Sequence, residues 1–352
     1  MKSSVLAPPG SSATPLVLDP RDRTDRAAGD AGVAGADGPT GSPGHLGHSA
    51  TVPRELVHRA ALSEVFLTGW ARRGENRFAL SAQWPRSHSF FTPPTAAHHS
   101  PTLVAETIRQ SVFVLAHAEY GIPFGHHFVM HGMHYRTSLD GLRVGPTPTN
   151  VDLTAHCSDL RRKGTNVTGF RAELTLRAQG RTVAVGGADF ASVSPRVYQR
   201  LRDARLRADQ APRTPAFERT APLHPPYVGR HSPHDIVLSP TLDPAVFCLR
   251  VDTGHATLFD HPVDHVPGMV LLEAACQAAS AVAHPAPFHP VLLTSAFNRY
   301  AEFDSPCLLR TEYAPARGAA SAAVRVTGEQ DGETVFTASL RDATGEDPFQ
   351  VD

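Results

Sequence analysis

The sequence predicts an α+β fold made of two tandem copies of one unit, in each of which an antiparallel sheet wraps a single long helix. Three observations predict it. Four segments recur in the same order in the two halves of the chain. Each half holds one long, almost wholly apolar helical pattern with a carboxylate inside it. Short runs of alternating apolar and polar residues, bounded by turn residues, flank both helices.

The recurrence begins with VHRAALSEVFLT (57–68), answered by VGRHSPHDIVLS (228–239); valine, arginine, an acid, an apolar pair and a hydroxyl keep their places. FALSAQWPRSHSFF (78–91) is answered by FCLRVDTGHATLFD (247–260), both alternating like half-buried strands. HHSPTLVAETIRQ (98–110) aligns without gaps on HVPGMVLLEAACQ (265–277), which places Glu106 opposite Glu273 and Gln110 opposite Gln277. RAQGRTVAVGGADF (177–190) and TGEQDGETVFTASL (327–340) each read as a turn followed by a strand. Chance similarity would not keep four segments in order.

The helix pattern from Pro267 to about Ala283 has Glu273 as its only charge, and a helix apolar all round is one enclosed by other structure. A sheet curled around one buried helix is the hot-dog arrangement, so the chain reads as a tandem hot-dog protein whose two copies pack as a pseudo-dimer within one chain. Residues 51–201 form the first repeat and 227–346 the second. Residues 1–50, rich in Gly, Pro, Ala, Ser and Asp, lack the apolar clusters that offset ordering entropy and read as a disordered tail. Residues 202–226, dominated by charge and proline, read as the linker.

Composition narrows the function. At 352 residues with 41% hydrophobic content the chain can build two cores. Its 33 Lys+Arg against 34 Asp+Glu leave no basic field for nucleic acid or an anionic membrane, so a small-molecule partner is expected. No apolar run approaches the roughly 20 residues that span a bilayer, and no basic-then-apolar leader opens the chain, so a cytoplasmic location is expected. Cys157, Cys248, Cys276 and Cys307 are dispersed and read as reduced core thiols.

Chemistry is expected on the helices. A carboxylate on a buried helix is costly unless paired or protonated, so desolvation is expected to raise the pKa of Glu106 and Glu273 toward neutrality, as suits a general acid or base. The alternative is a structural glutamate held by arginine and glutamine. Arg109, one turn from Glu106, could offer an anion a bidentate contact; Arg86 and Arg299 are further cationic candidates. His127, His131 and His134 would make a metal site on a helix, but the repeat calls for a strand there. No Gly-rich phosphate loop, dinucleotide fingerprint or Ser-centred elbow is present, and neither metal nor cofactor is expected.

Upstream of Glu273, DHPVDHVPGMVLLEAACQ places His261 and His265 in a loop and Pro267-Gly268 at the helix start. This resembles the loop and helix of hot-dog β-hydroxyacyl dehydratases. That resemblance implies that His261 moves a proton, that the Gly268 N–H faces a thioester oxygen, and that each site joins the loop of one domain to the helix acid of the other. One site would then combine Glu106, Arg109 and Gln110 with His261, His265 and Gly268. The other would combine Glu273, Cys276 and Gln277 with His98 and Pro101, which has no N–H to offer.

Over roughly 55–345, the ordered set WPRSHSFF, LVAETIRQS, FDHPVDHVPGMVLLEAA and FNRYAEFDSPC resembles the A-factor synthase (AfsA) family. The resemblance implies transfer of a β-ketoacyl group from acyl carrier protein to the hydroxyl of dihydroxyacetone phosphate, followed by ring closure to a butenolide phosphate, the precursor of a γ-butyrolactone signal. The family's second helix often reads EAARQ, whereas this chain has Cys276 at the arginine position. A family phosphate site that depended on that arginine would imply a changed substrate or lost activity. A hot-dog dehydratase or thioesterase, and a non-catalytic protein binding an acyl ligand, are the competing readings.

Overall fold

The computed structural model describes residues 47–93, 96–208, 221–317 and 321–343. The first half contains β1 (Leu67–Gly74), β2 (Arg77–Trp84), α1 (Thr102–Val114), β3 (His127–Thr137), β4 (Thr149–Lys163), β5 (Asn166–Ala178) and β6 (Arg181–Val193). After α2 (Pro195–Ala208) come β7 (Leu238–Pro240), β8 (Val246–Leu249), α3 (Gly268–Ala283), β9 (Pro290–Phe297), β10 (Cys307–Ala314), β11 (Ala323–Gln330) and β12 (Glu333–Asp342). All twelve strands join one sheet in the order β1-β2-β4-β5-β6-β3-β9-β12-β11-β10-β8-β7. Read from either edge inward, the two halves have the same strand order, and they meet where β3 pairs antiparallel with β9. The architecture is therefore a tandem hot-dog fold, with α1 packed on the first half and α3 on the second.

The patterning explains these elements. Along β4, Val151, Leu153, Ala155 and Cys157 are buried while their neighbours face out, the period of a half-buried strand. The β5–β6 and β11–β12 hairpins turn on Gln179-Gly180 and Asp331-Gly332, each with both residues at positive φ, as a two-residue primed turn requires. The alternation read in 78–91 and 247–260 overshoots, since β2 stops at Trp84 and β8 at Leu249. Beyond those points His88 and His255 fold the chain back, their Nδ1 atoms accepting backbone N–H bonds two and three residues on.

The central helices are buried as expected. On α1, Leu103, Val104, Ala105, Glu106 and Ile108 are fully inaccessible; on α3, Val270, Leu272, Ala274, Ala275 and Ala278 are. The polar groups this burial traps are bonded: Thr107 Oγ1 donates to the Leu103 carbonyl and accepts from Trp84 Nε1, and Ser111 donates to the Thr107 carbonyl. No helix among the described residues is long and apolar enough to cross a membrane.

Of the expected tail, residues 1–46 lie outside the described residues; the Gly47 carbonyl accepts a bond from Ser81. Residues 209–220 of the expected linker also lie outside them, but its start is helical in α2 and its end already belongs to the second repeat. Leu223 N–H bonds the Leu238 carbonyl just as Val52 N–H bonds the Leu67 carbonyl in the first. The tract 127–137 is a strand, so no helical triad of His127, His131 and His134 forms, and His134 reaches Glu173 on β5 instead.

Candidate active site

Both helix glutamates sit in the same cage. The Glu106 carboxylate, fully buried, receives Nε and Nη2 of Arg109 at 2.8 and 2.7 Å and Nε and Nη2 of Arg59 at 3.1 and 2.8 Å. Gln110 Nε2 donates to the same carboxylate and to the Glu64 carbonyl, both at 2.7 Å, while its Oε1 accepts Phe66 N–H. Arg59 also donates to the Thr257 carbonyl at 2.9 Å and so ties the first repeat to the second. Around Glu273 the pattern repeats: Arg230 pairs with both carboxylate oxygens and donates to the Phe90 carbonyl of the first repeat. Gln277 bonds Glu273, the Asp235 carbonyl and Val237 N–H.

This cage corrects the expected basicity of Glu106. Burial alone raises the pKa of a carboxyl, but Arg109 and Arg59 outweigh it and hold Glu106 at about 2. Gripped by two guanidinium groups and absent from the cavity lining, that carboxylate is their anchor. Arg59 was visible in sequence only as a residue shared by both repeats, and it lies 47 positions from the carboxylate it neutralises. Arg109 in turn is not free to present its full fork to an anion. Its Nε–Nη2 edge is spent on Glu106, and Nη1 is the nitrogen no described residue engages.

Beside Arg109 a cavity of about 260 Å³ runs between the repeats. The first repeat lines it with His58, Arg59, Arg109 and His127; the second lines it with Asp260, His261, His265 and Gly268. Its walls are apolar, with Phe113, Phe128, Met130, Phe190, Phe259 and Met269. The expected cross-repeat assembly of Arg109 with His261, His265 and Gly268 is therefore present, whereas Glu106 and Gln110 stand behind it as supports. Gly268 opens α3, where a Cβ would come within 2.7 Å of the end of the Met130 side chain.

Two carboxylates orient the loop histidines. Asp260, buried, accepts Ala60 and Ala61 N–H and faces His261 Nδ1 at 3.3 Å. Because a carboxylate only accepts, this contact needs a proton on His261 Nδ1. Asp264 faces His265 Nδ1 at 2.8 Å and also accepts the Tyr198 hydroxyl at 2.6 Å. Tyr198 comes from α2, the helix the sequence concealed, and its ring stacks on His127 at 3.6 Å. Arg202, counted as linker, pins the same loop through Asp264 and Glu302. Tyr300 lines the cavity with its buried hydroxyl unpartnered among the described residues.

Two sequence candidates lie elsewhere. Arg86 is exposed and donates to the Gly145 carbonyl, and Arg299 is exposed and pairs with Glu333; neither lines the cavity. Both flank buried motifs in sequence, but the chain turns them to solvent.

The second cavity, about 550 Å³, is lined by Arg230, Glu273, Cys276, His98 and Pro101. Burial pushes the Cys276 thiol well up, with Glu273 adding to the shift, so it is not a ready nucleophile.

A family model described as the A-factor biosynthesis hot-dog domain matches residues 42–194 and 213–344. The chain belongs to this family. Among curated relatives, a "2-oxo-3-(phosphooxy)propyl 3-oxoalkanoate synthase" of Streptomyces virginiae is 50% identical over 82% of this chain and 96% of its own length. Proteins of the same name from Streptomyces coelicolor and Streptomyces griseus are each 42% identical, over 82% and 81% of this chain and 90% and 93% of theirs. Among solved structures, a 12:0-ACP thioesterase from Umbellularia californica is 10% identical and superposes with a TM-score of 0.45 over 75% of this AfsA-family chain and 93% of its own.

Proposed function

We propose that this chain transfers a β-ketoacyl group from the thioester of an acyl carrier protein to the hydroxyl of dihydroxyacetone phosphate. The resulting ester then condenses internally to a butenolide phosphate, precursor of a γ-butyrolactone signal. The observation that carries this reading is the composite cavity. It sets an anchored arginine from one repeat opposite an Asp-held histidine and a helix N-terminus from the other, with apolar walls between. The printed activity of the Streptomyces relatives, a synthase of a phosphooxypropyl 3-oxoalkanoate, supports it.

The parts suit the chemistry. Nη1 of Arg109 meets the acceptor's phosphate, and Glu106, Arg59 and Gln110 fix that guanidinium so that little ordering remains to be done on binding. The Gly268 N–H, free at the start of α3, faces the thioester oxygen as it gains charge. His261, held by Asp260, delivers a proton to the departing sulfur. The Phe and Met walls receive the acyl chain. Glu273 and Gln277 hold the second half of the molecule together, and the reaction asks for no metal or cofactor.

Purified protein incubated with a β-ketoacyl carrier-protein thioester and dihydroxyacetone phosphate should yield the phosphorylated ester and its butenolide by mass spectrometry. Release of free β-keto acid alone would replace this reading with a thioesterase. Tight, saturable acyl binding without any turnover would replace it with a sensor.

A further inference from the structure

Among the imidazoles that line the cavity, His58 stands apart from the loop histidines. His58 ends the 3-10 turn Arg54–Val57 in the left-handed conformation, φ 52° and ψ 54°, which side chains other than glycine adopt at a cost of about 1 kcal/mol. Its counterpart in the second repeat is Gly229, with φ 66°, which takes that conformation freely. The first repeat thus keeps an imidazole where backbone geometry favours glycine. The ring stacks on Phe113 with centroids 4.3 Å apart and lines the cavity beside Arg109.

The hydrogen bonds of this ring fix its tautomer. His117 Nδ1 lies 2.6 Å from the Ile122 carbonyl, and a carbonyl oxygen only accepts, so that nitrogen carries the proton. Burial lowers the pKa of His117, which keeps the ring neutral and leaves Nε2 as an acceptor. His58 Nε2 stands 2.7 Å from that acceptor and must therefore donate to it. What remains on His58 is a bare Nδ1 lone pair, engaged by no described residue, on a ring that faces the cavity.

We propose that His58 is the base that takes the proton of the acceptor hydroxyl, its Nδ1 set as the basic atom by the relay through His117 to the Ile122 carbonyl. The proposal rests on the acyl transfer above and divides its proton traffic. The hydroxyl proton passes to His58 Nδ1 while the oxygen forms its bond to the thioester carbon and the carbonyl pair moves onto oxygen. On collapse the C–S bond breaks, and the sulfur takes that proton back, directly or by way of His261. Thioester and alcohol become ester and thiol, with nothing left over. Burial first, and then the charged and titratable groups around it, His117, Arg109, His261 and His127, disfavour a protonated His58 ring. A phosphate dianion on Arg109 opposes those positive charges and so raises the basicity of Nδ1 when the acceptor binds.

The test uses His58→Gly, which installs the residue of the second repeat and relieves the backbone, so the protein should remain folded. Turnover should fall at least about 100-fold with the KM for dihydroxyacetone phosphate within about three-fold, and added imidazole should restore at least about ten-fold of the loss. Turnover near that of the parent, or a loss in folded protein that imidazole does not rescue, overturns the proposal. His117 is a positioning residue, read without substrate: the ¹⁵N spectrum of histidine-labelled protein should show His58 protonated at Nε2 alone, a preference lost in His117→Phe. A proton on Nδ1 in the parent overturns the relay. A parent that forms no ester defeats the acyl-transfer reading, while the spectrum still judges the relay.

Discussion

Around Glu106 and around Glu273 the chain builds one cage twice and furnishes it differently. Each glutamate is gripped by an arginine from the turn before its sheet edge, and each such arginine donates a bond to the other repeat. Each glutamine locks the helix to the backbone of that turn. These shared parts are scaffold. The differences face the cavities: Arg109 against Cys276, His58 against Gly229, Phe113 against Ser280, and Gly268 against Pro101. One copy holds a second guanidinium, an imidazole at position 58 and a helix-start glycine; the other has Cys276, Gly229 and Pro101 in their places. The glutamate cage is common to both sites and joins the halves, while the groups proposed to act on substrate belong to one.

The sharpest way to break this comparison is to make the first site resemble the second. Arg109→Cys should lower kcat/KM for dihydroxyacetone phosphate about 1,000-fold, on the order of 4 kcal/mol of transition-state stabilisation, and should weaken acceptor binding most. Steady-state kinetics with varied acceptor would check it, and a loss below about ten-fold would mean that another group holds the phosphate. Glu106→Gln comes next. The sequence alone suggested a proton carrier, but the cage predicts a structural loss. Two buried guanidinium groups would lose their counter-charge, costing about 3–5 kcal/mol and on the order of 10 °C in melting temperature. Glu273→Gln strands one guanidinium, Arg230, and should destabilise comparably or less while transfer in the folded fraction falls only a few-fold. Equal loss of turnover from the two substitutions, in folded protein, would defeat the one-site reading.

The same cage gives a smaller effect with a definite pH window. Glu106 is held at about 2 in the folded chain, against an ordinary value of 4.5, so its stabilisation is present above about pH 4.5 and is lost as pH falls through about 2. His58 is depressed as well, from 6.5 to about 3, first by burial and then by His117, Arg109, His261 and His127. The unfolded chain therefore takes up its proton first, and stability declines as pH drops below about 6.5. Denaturant titrations between pH 7 and pH 4 should show a shallower decline for His58→Gly than for the parent.

The repeat was legible because its signals are local: gapless helices, Gln179-Gly180 and Asp331-Gly332 turns, and alternating strands. The loop of His261 and His265 and its partnership with Arg109 were legible for the same reason. What escaped depends on distance. Glu106 looked like a base because Arg59 lies far upstream, and only the fold brings them together. Arg202 was obscured because RDARLRA has the composition of a linker, while Asp264 and Glu302, which satisfy that arginine, come from the other repeat. Arg86 and Arg299 misled because proximity to a motif in sequence does not decide which way a side chain turns.

The smallest effect sharpens the comparison from the other side. Cys276→Arg restores to the second site the residue that the first has as Arg109. Space is available, since Cys276 lines the cavity of about 550 Å³, and Glu273 can share a second guanidinium as Glu106 does. The variant should therefore fold, as the corresponding Arg109 is accommodated beside Glu106. Yet it should gain no measurable transfer over the parent, and Cys276→Arg combined with Arg109→Cys should stay as slow as Arg109→Cys alone. Gly229 offers no imidazole to take the hydroxyl's proton, and Pro101 offers no N–H to the thioester oxygen, so the arginine would bind phosphate where nothing can act on it. Recovery of turnover in the double variant would show that the guanidinium alone decides which site works.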